Sequence, residues 1–239
     1  MYVFIFLFFH WYSSLFSQTF FLHRYSAHKM FTMNKFWIKF FYIFSWITQG
    51  SSYLNARAYA ILHRMHHAFS DTEKDPHTPH FFKDALQMML HTKKIYNDVL
   101  NKRVVIEDKF DRDFPEFKTI DKIADSWLMR LFFAGLYVLF YVAFATDWWM
   151  FLLLPIHFFI GPIQGAIVNW AGHKYGYRNF NCADKSKNTL FIDFLLMGEL
   201  YQNNHHQAGS KPNFAVKWWE LDLTYRIIWL FDKIKIIKL

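Results

Sequence analysis

From Leu131 to His173 the chain carries a single Asp, Glu, Lys or Arg, the Asp147 of a Thr146–Asp147 turn. A run this long and this free of charge points to a bilayer. The turn divides it into spans of about 127–146 and 149–170, each close to the ~20 residues a helix needs to cross hydrocarbon. Residues 2–22 are also uncharged, and lack the basic start and small-residue cleavage site of a secretory leader. They read as a first transmembrane helix. Ser13, Ser14, Ser17, Gln18 and Thr19 dot its second half, which should therefore face protein. Although 54% of residues are hydrophobic and 22% aromatic, the mean hydropathy is only +0.02. The apolar residues thus lie in blocks, with charged segments between them.

The run Phe36–Thr48 is apolar but short, and holds Lys39. A single crossing there would separate the histidines before and after it, and two crossings need about 40 apolar residues. An interfacial helix over about 35–49 fits better. The tail, about 215–238, mixes Trp218, Trp219 and Trp229 with Ile and Lys and reads as a second interfacial helix. Gly50, Ser51 and Ser52 suggest a break and helix N-cap, and a helix follows over Tyr53–Phe69. DTEKDPHTP (71–79) stops that helix, and residues 80–126 read as charged helices and loops. Pro155, Gly161, Pro162 and Gly165 predict a kink in the last span.

The expected fold is an all-α integral membrane protein, residues 1–239 forming one domain. It has about three transmembrane helices, two interfacial helices and a cytoplasmic helical cap. Arg24, Lys29, the 57–130 region and the Lys-rich tail fall on one side, which makes that side cytoplasmic. The same bias accounts for the net charge of +8 without nucleic acid. A single cysteine, Cys182, excludes an internal disulfide and a self-contained iron–sulfur cluster.

Eight of the thirteen histidines fall into compact groups: His23 and His28; His63, His66 and His67; His173 behind Asn169; and His205 and His206 behind Gln202. The topology, deduced without them, brings all four groups to one membrane surface. Residues three and four apart share a helix face, so His63, His66 and His67 can enter one cavity. His23 and His28 are five apart, about 140° around an ideal α-helix. They cannot chelate together from one straight helix; either the helix ends there or each serves a different metal. Imidazole suits Fe, Zn, Cu and Ni. Asp75, Glu199 and Asp193 lie near the groups and are candidates to orient the rings. His10 and His157 read as packing or tunnel-lining residues, and His77, His80 and His91 as loop histidines.

The pattern HxxxxH, HxxHH and (H/Q)xxHH, with FLHRYSAHK, DPHTP and NWAGHKYGYRNF around it, resembles the membrane fatty acyl desaturases, the superfamily of stearoyl-CoA desaturase. The resemblance runs from Phe21 to about Gly209. It implies two irons on His23, His28, His63, His66, His67, His173, His205 and His206, and an Asn169 that holds a metal-bound water. It also implies O2 as co-substrate, a long-chain fatty acyl substrate, and a cis double bond as product. Gln202 stands where acyl-CoA members carry a ninth histidine, which puts one iron's coordination in question. The animal enzymes have two spans before the first box and this chain one, so a compact bacterial inner-membrane form with a cytoplasmic site is expected. No haem or flavin motif is present, so electrons must come from a separate reductase with a cytochrome or ferredoxin. A related di-iron hydroxylase is the nearest alternative, though HxxxxH with NWAGH favours desaturation. A transport or haem-binding membrane protein would place its clustered histidines at mid-bilayer. A metal-binding non-enzyme is suggested only by Gln202.

Overall fold

The computed structural model describes residues 1–239 and is predominantly helical. Helix α1 (Tyr2–Phe16) runs without a break into a π-helical segment, Ser17–Ala27. The change of winding coincides with a change of surroundings. Phe4, Ile5, Phe8 and Phe9 of α1 are exposed, whereas every residue of the π segment is buried. Expectation and structure agree that the serine- and glutamine-bearing half faces protein. They differ on form, since α-helix extends only to Phe16.

Strand β1 (Thr32–Met33) leads into α2 (Lys35–Gln49), capped by the Asn34 side chain accepting the Trp37 N–H at 3.1 Å. Helix α3 (Ala56–Phe69) begins not at Gly50–Ser52 but at Asn55, whose side chain accepts the Ala58 N–H at 3.2 Å. Gly50 instead ends α2 with φ of 50°, and a Cβ there would fall 1.8 Å from the Tyr137 hydroxyl. Both the backbone angle and the close approach require glycine. Helices α4 (Ala85–Leu100) and α5 (Lys118–Ala124) follow. The guanidinium of Arg64 on α3 donates to the carbonyls of Ala27 and Ser26 at 2.9 and 3.1 Å, tying the end of the π segment to α3.

Helix α6 (Trp127–Phe144) is long and apolar enough to cross a membrane. The return limb is broken: a 3-10 stretch Trp148–Leu153, then α7 (Leu154–Phe158) and α8 (Ile160–Lys174), bent by 70° at Phe159. One helix, or two if the bent pair counts as one span, passes that test. The expected kink is present and sharper than a bend. Pro155 and Pro162 sit in first turns, where a missing N–H costs little. Groups freed by the break find partners in the Gly50–Ser52 turn: Ser52 Oγ accepts the Gly161 N–H at 3.1 Å, and Ser51 Oγ donates to the Phe158 carbonyl at 3.1 Å. Tyr2 meets Phe144 and Phe4 meets Trp149, so the start of α1 and the Asp147 turn occupy the same end of the molecule.

Helix α9 (Gln202–Gln207) carries the last histidines, and α10 (Leu223–Lys233) follows. The tail helix is much shorter than 215–238. Residues before it form a loop in which Glu220 accepts the Lys217 N–H at 2.8 Å and Asp222 accepts the Phe214 N–H at 2.8 Å. After it, strand β2 (Ile237–Lys238) pairs antiparallel with β1.

Candidate metal centre

The π segment brings His23 and His28 together. Its i→i+5 bonding places residues five apart in register, and the His28 N–H donates to the His23 carbonyl at 3.1 Å. The two rings lie 5.1 Å apart, centroid to centroid. Service to different metals, one of the two sequence alternatives, is therefore not what the geometry supports. Both rings join His63, His67 and His205 in a group whose ligand nitrogens all lie within 4.8 Å of one another.

Helix α3 supplies two groups rather than one. His63 and His67, a full turn apart, enter the five-imidazole group, while His66 enters a second group with His173 and His206. His205 and His206, adjacent on α9, are divided the same way. All eight histidines singled out in the sequence thus converge, in groups of five and three.

The partners of the outer nitrogens define the tautomers. His23 Nδ1 lies 2.7 Å from Glu199, His66 Nδ1 2.9 Å from Asp75, His173 Nδ1 3.0 Å from Asp71 and His206 Nδ1 2.8 Å from Asp184. An ionised carboxylate only accepts, so each Nδ1 carries the proton and each Nε2 is left as a bare lone pair. Burial alone would raise the Asp71 and Asp184 carboxyls. Their bonds from His173 and His206 outweigh it and hold both well below the usual range. Burial likewise opposes ionisation of Glu199, but His23 and Arg24 keep its pKa lowered.

The bare nitrogens then face one another. His66 Nε2 stands 3.2 Å from His206 Nε2 with no proton between them, and the buried His173 Nε2 has no partner at all. In the larger group the closest contacts are His28 to His63 at 2.7 Å, His67 to His205 at 2.9 Å and His23 to His205 at 3.0 Å. Around an ion at ~2.1 Å from each imidazole, neighbouring octahedral corners are about 3 Å apart. In the smaller group, where carboxylates hold every proton on Nδ1, lone pairs at this spacing repel unless a cation lies among them, so the residues fit metal. Burial, and after it the neighbouring imidazoles, push His28, His63, His66, His67 and His205 well below the usual imidazole range. Neutral imidazole is the ligating form.

Other sequence candidates fare unevenly. Glu199 and Asp75 orient rings as expected. Asp193 does not: it accepts the N–H groups of Leu196, Gly198 and Leu200 at 2.8–3.0 Å and shapes the loop before α9. Asp71 and Asp184, which the sequence reading does not single out, hold histidines 102 and 22 residues away. The one available signal was position, Asp71 opening the DTEKDPHTP turn. Asn169 lies one turn before His173 on α8. Gln202 shares the α9 face with His206, and its amide donates to the Glu199 carbonyl at 2.7 Å. His77 is buried beside His66, with ring centroids 4.4 Å apart, and is not a free loop residue. His10 and His157 are buried against each other and belong to neither group.

The profile of the family described as fatty acid desaturase matches residues 1–233. The chain is 28% identical over 230 residues to the Delta-9 desaturase-like 4 protein of Arabidopsis thaliana, covering 90% of this chain and 69% of the relative. It is 26% identical to the sn-1 stearoyl-lipid 9-desaturase of Anabaena variabilis, covering 88% and 73%. A hex-5-enoyl-[acyl-carrier protein] acetylenase of Moorena producens is 24% identical over 95% of this chain and 73% of its own. A match across nearly the whole length, joined to histidine groups able to hold metal, leads to one conclusion: the chain belongs to the fatty acid desaturase family and is an oxidoreductase of that kind.

Proposed function

We propose that this desaturase introduces a cis double bond into a long-chain acyl group at a di-iron centre, with O2 as oxidant and two electrons from outside the chain. The observation that carries the proposal is the convergence of bare Nε2 lone pairs whose Nδ1 protons are pinned by carboxylates. Iron held by His23, His28, His63, His67 and His205, and by His66, His173 and His206, would supply the oxidising power that an unactivated C–H bond demands. Gln202, one turn before His206, and Asn169, one turn before His173, stand where a weak oxygen ligand and a water-holding amide are needed.

The protein's own contribution is to hold these groups rigid and dry. Arg24, fully buried, donates to Thr19 and to Asp222, reaches Glu199 at 3.3 Å, and lies 3.9 Å over the Phe214 ring. Glu199 in turn fixes the His23 ring. Removing water from the site strengthens every such interaction. The acyl chain enters from the membrane side, along the exposed apolar faces of α1 and α6. The carrier is a lipid or an acyl thioester, the two classes that the relatives' names display. With one cysteine and no flavin or haem motif, the chain takes its electrons from a separate cytochrome or ferredoxin system docking on the cytoplasmic side. The proposed location is the inner membrane of a bacterium, with several crossings.

The test is the fatty-acid profile of a desaturase-deficient host expressing the chain beside a His66→Ala control. A new cis-unsaturated fatty acid absent from the control is expected. A hydroxylated product in its place would contradict the proposal and favour the related hydroxylases.

A further inference from the structure

The two histidine groups sit in unequal charge. Around His66, His173 and His206, three carboxylates each hold one imidazole: Asp75, Asp71 and Asp184. The ion pairs of all three are with histidines alone, and the Arg178 guanidinium donates to the Asp184 backbone carbonyl at 3.2 Å, not to its carboxylate. Around the five-imidazole group only Glu199 plays this part. Its charge is met by the buried Arg24 guanidinium, which also pairs with Asp222 at 2.8 Å. Three carboxylates paired only with histidine therefore stand at the smaller group, and one carboxylate paired with arginine stands at the larger.

This difference acts directly on bound metal. A carboxylate that draws on an imidazole N–H makes the opposite nitrogen a stronger donor. In a buried site the charge itself is poorly screened. Both effects favour the higher charge state of an ion at the three-imidazole group. Five neutral imidazoles with a neutralised carboxylate favour the lower one.

Resting on the reading that both groups hold iron, we infer that the ion bound by His66, His173 and His206 is the one that oxidises first. Asp71, Asp75 and Asp184 are the positioning residues that set this order. They touch no reacting atom and act through the imidazoles. The step is a one-electron loss by that iron to an external acceptor, with no bond made or broken and no proton released.

The full chain in lipid nanodiscs, loaded anaerobically with Fe(II), is titrated with ferricyanide, which takes up one electron to become ferrocyanide. Mössbauer and electron paramagnetic resonance spectra follow the iron. Two separate oxidation steps are expected, with a mixed-valence state between them. Asp184→Asn and Asp71→Asn should each make the first step harder, leave the second in place and narrow the mixed-valence window. Asparagine suits the Asp71 backbone, whose φ is 59°. The iron count of each variant shows that it is folded and loaded. A single two-iron step overturns the inference, as do variants that move the second step instead of the first. Uptake of only one iron per wild-type chain overturns the di-iron reading itself, and the inference with it.

Discussion

Two sets of largely buried histidines in this chain do opposite things with their nitrogens. Between α1 and α7, His10 and His157 face each other through Nδ1 at 2.7 Å. Tyr141 is 2.9 Å from His157 Nε2, and Tyr137 is 3.5 Å from His10 Nε2. One set of protons satisfies the whole chain: the Tyr141 hydroxyl donates to His157, His157 to His10, and His10 to Tyr137. In the two metal-fit groups, four imidazoles donate to carboxylates and leave bare Nε2 atoms converging. The difference lies in the partner. A hydroxyl can donate to a ring nitrogen and complete it, whereas an ionised carboxylate can only accept and so exposes the nitrogen opposite. Burial does not distinguish a structural histidine from a ligand; the position of the proton does.

The largest effect should follow the removal of a bare nitrogen. His173→Ala takes one of only three imidazoles from the smaller group. The metal content of the purified protein should fall from two ions per chain to one, with desaturase product abolished. Removing a carboxylate should be milder. Asp184→Asn keeps every ligand and loses only the ionised acceptor behind His206. Metal affinity at that group should weaken about 10–100-fold in a chelator competition. Either variant leaving metal content and affinity untouched would break the contrast with the membrane histidines.

The membrane pair should respond in stability and not in metal. His10→Phe strands His157 Nδ1 in the interior, at a cost of roughly 1–3 kcal/mol. The double variant His10→Phe/His157→Phe removes both partners and should recover part of that loss. Thermal unfolding of the detergent-solubilised protein reads both values, with metal content constant throughout.

Just below neutral pH, the smallest expected effect is that of mild acidification on the metal-free protein. The lowered pKa values of His28, His63, His66, His67 and His205 mean that the folded state holds fewer protons on these rings than the unfolded state. Their contribution to stability is complete above the unfolded value of about 6.5 and is lost as pH falls toward the folded values. Tm of the metal-free protein should decline on acidification below that point. A Tm that holds steady there would contradict neutral, buried rings.

Much of this was legible in the sequence, for reasons that particular residues make plain. The HxxHH box on α3 is readable because i, i+3 and i+4 share an α-helical face. Glu199 and Asp75 stand close in sequence to a histidine box, and so could be proposed as ring partners. HxxxxH was not readable in geometry, since an α-helix sets His23 and His28 on different faces and only the π winding aligns them. Composition alone does not announce that winding. Asp71 lies closer to the HxxHH box than Asp75 but holds His173, 102 residues on, and Asp184 holds His206, so closeness to a box does not tell which ring a carboxylate meets. The tail illustrates another limit: Trp and Lys suggested an interfacial helix over 215–238. The carboxylates of Glu220 and Asp222 instead capture backbone N–H groups, confining the helix to Leu223–Lys233.

The central claim, that carboxylate-pinned protons on four of the eight histidines mark the metal-binding groups, is tested most directly by metal counting. Metal-free full-length chain in nanodiscs is dialysed against Fe(II) under anaerobic conditions and bound iron is measured for wild type, His173→Ala and His10→Phe/His157→Phe. The account requires two ions in wild type, two in the membrane double variant and one in His173→Ala. Loss of iron from the membrane variant, or full retention in His173→Ala, would contradict it.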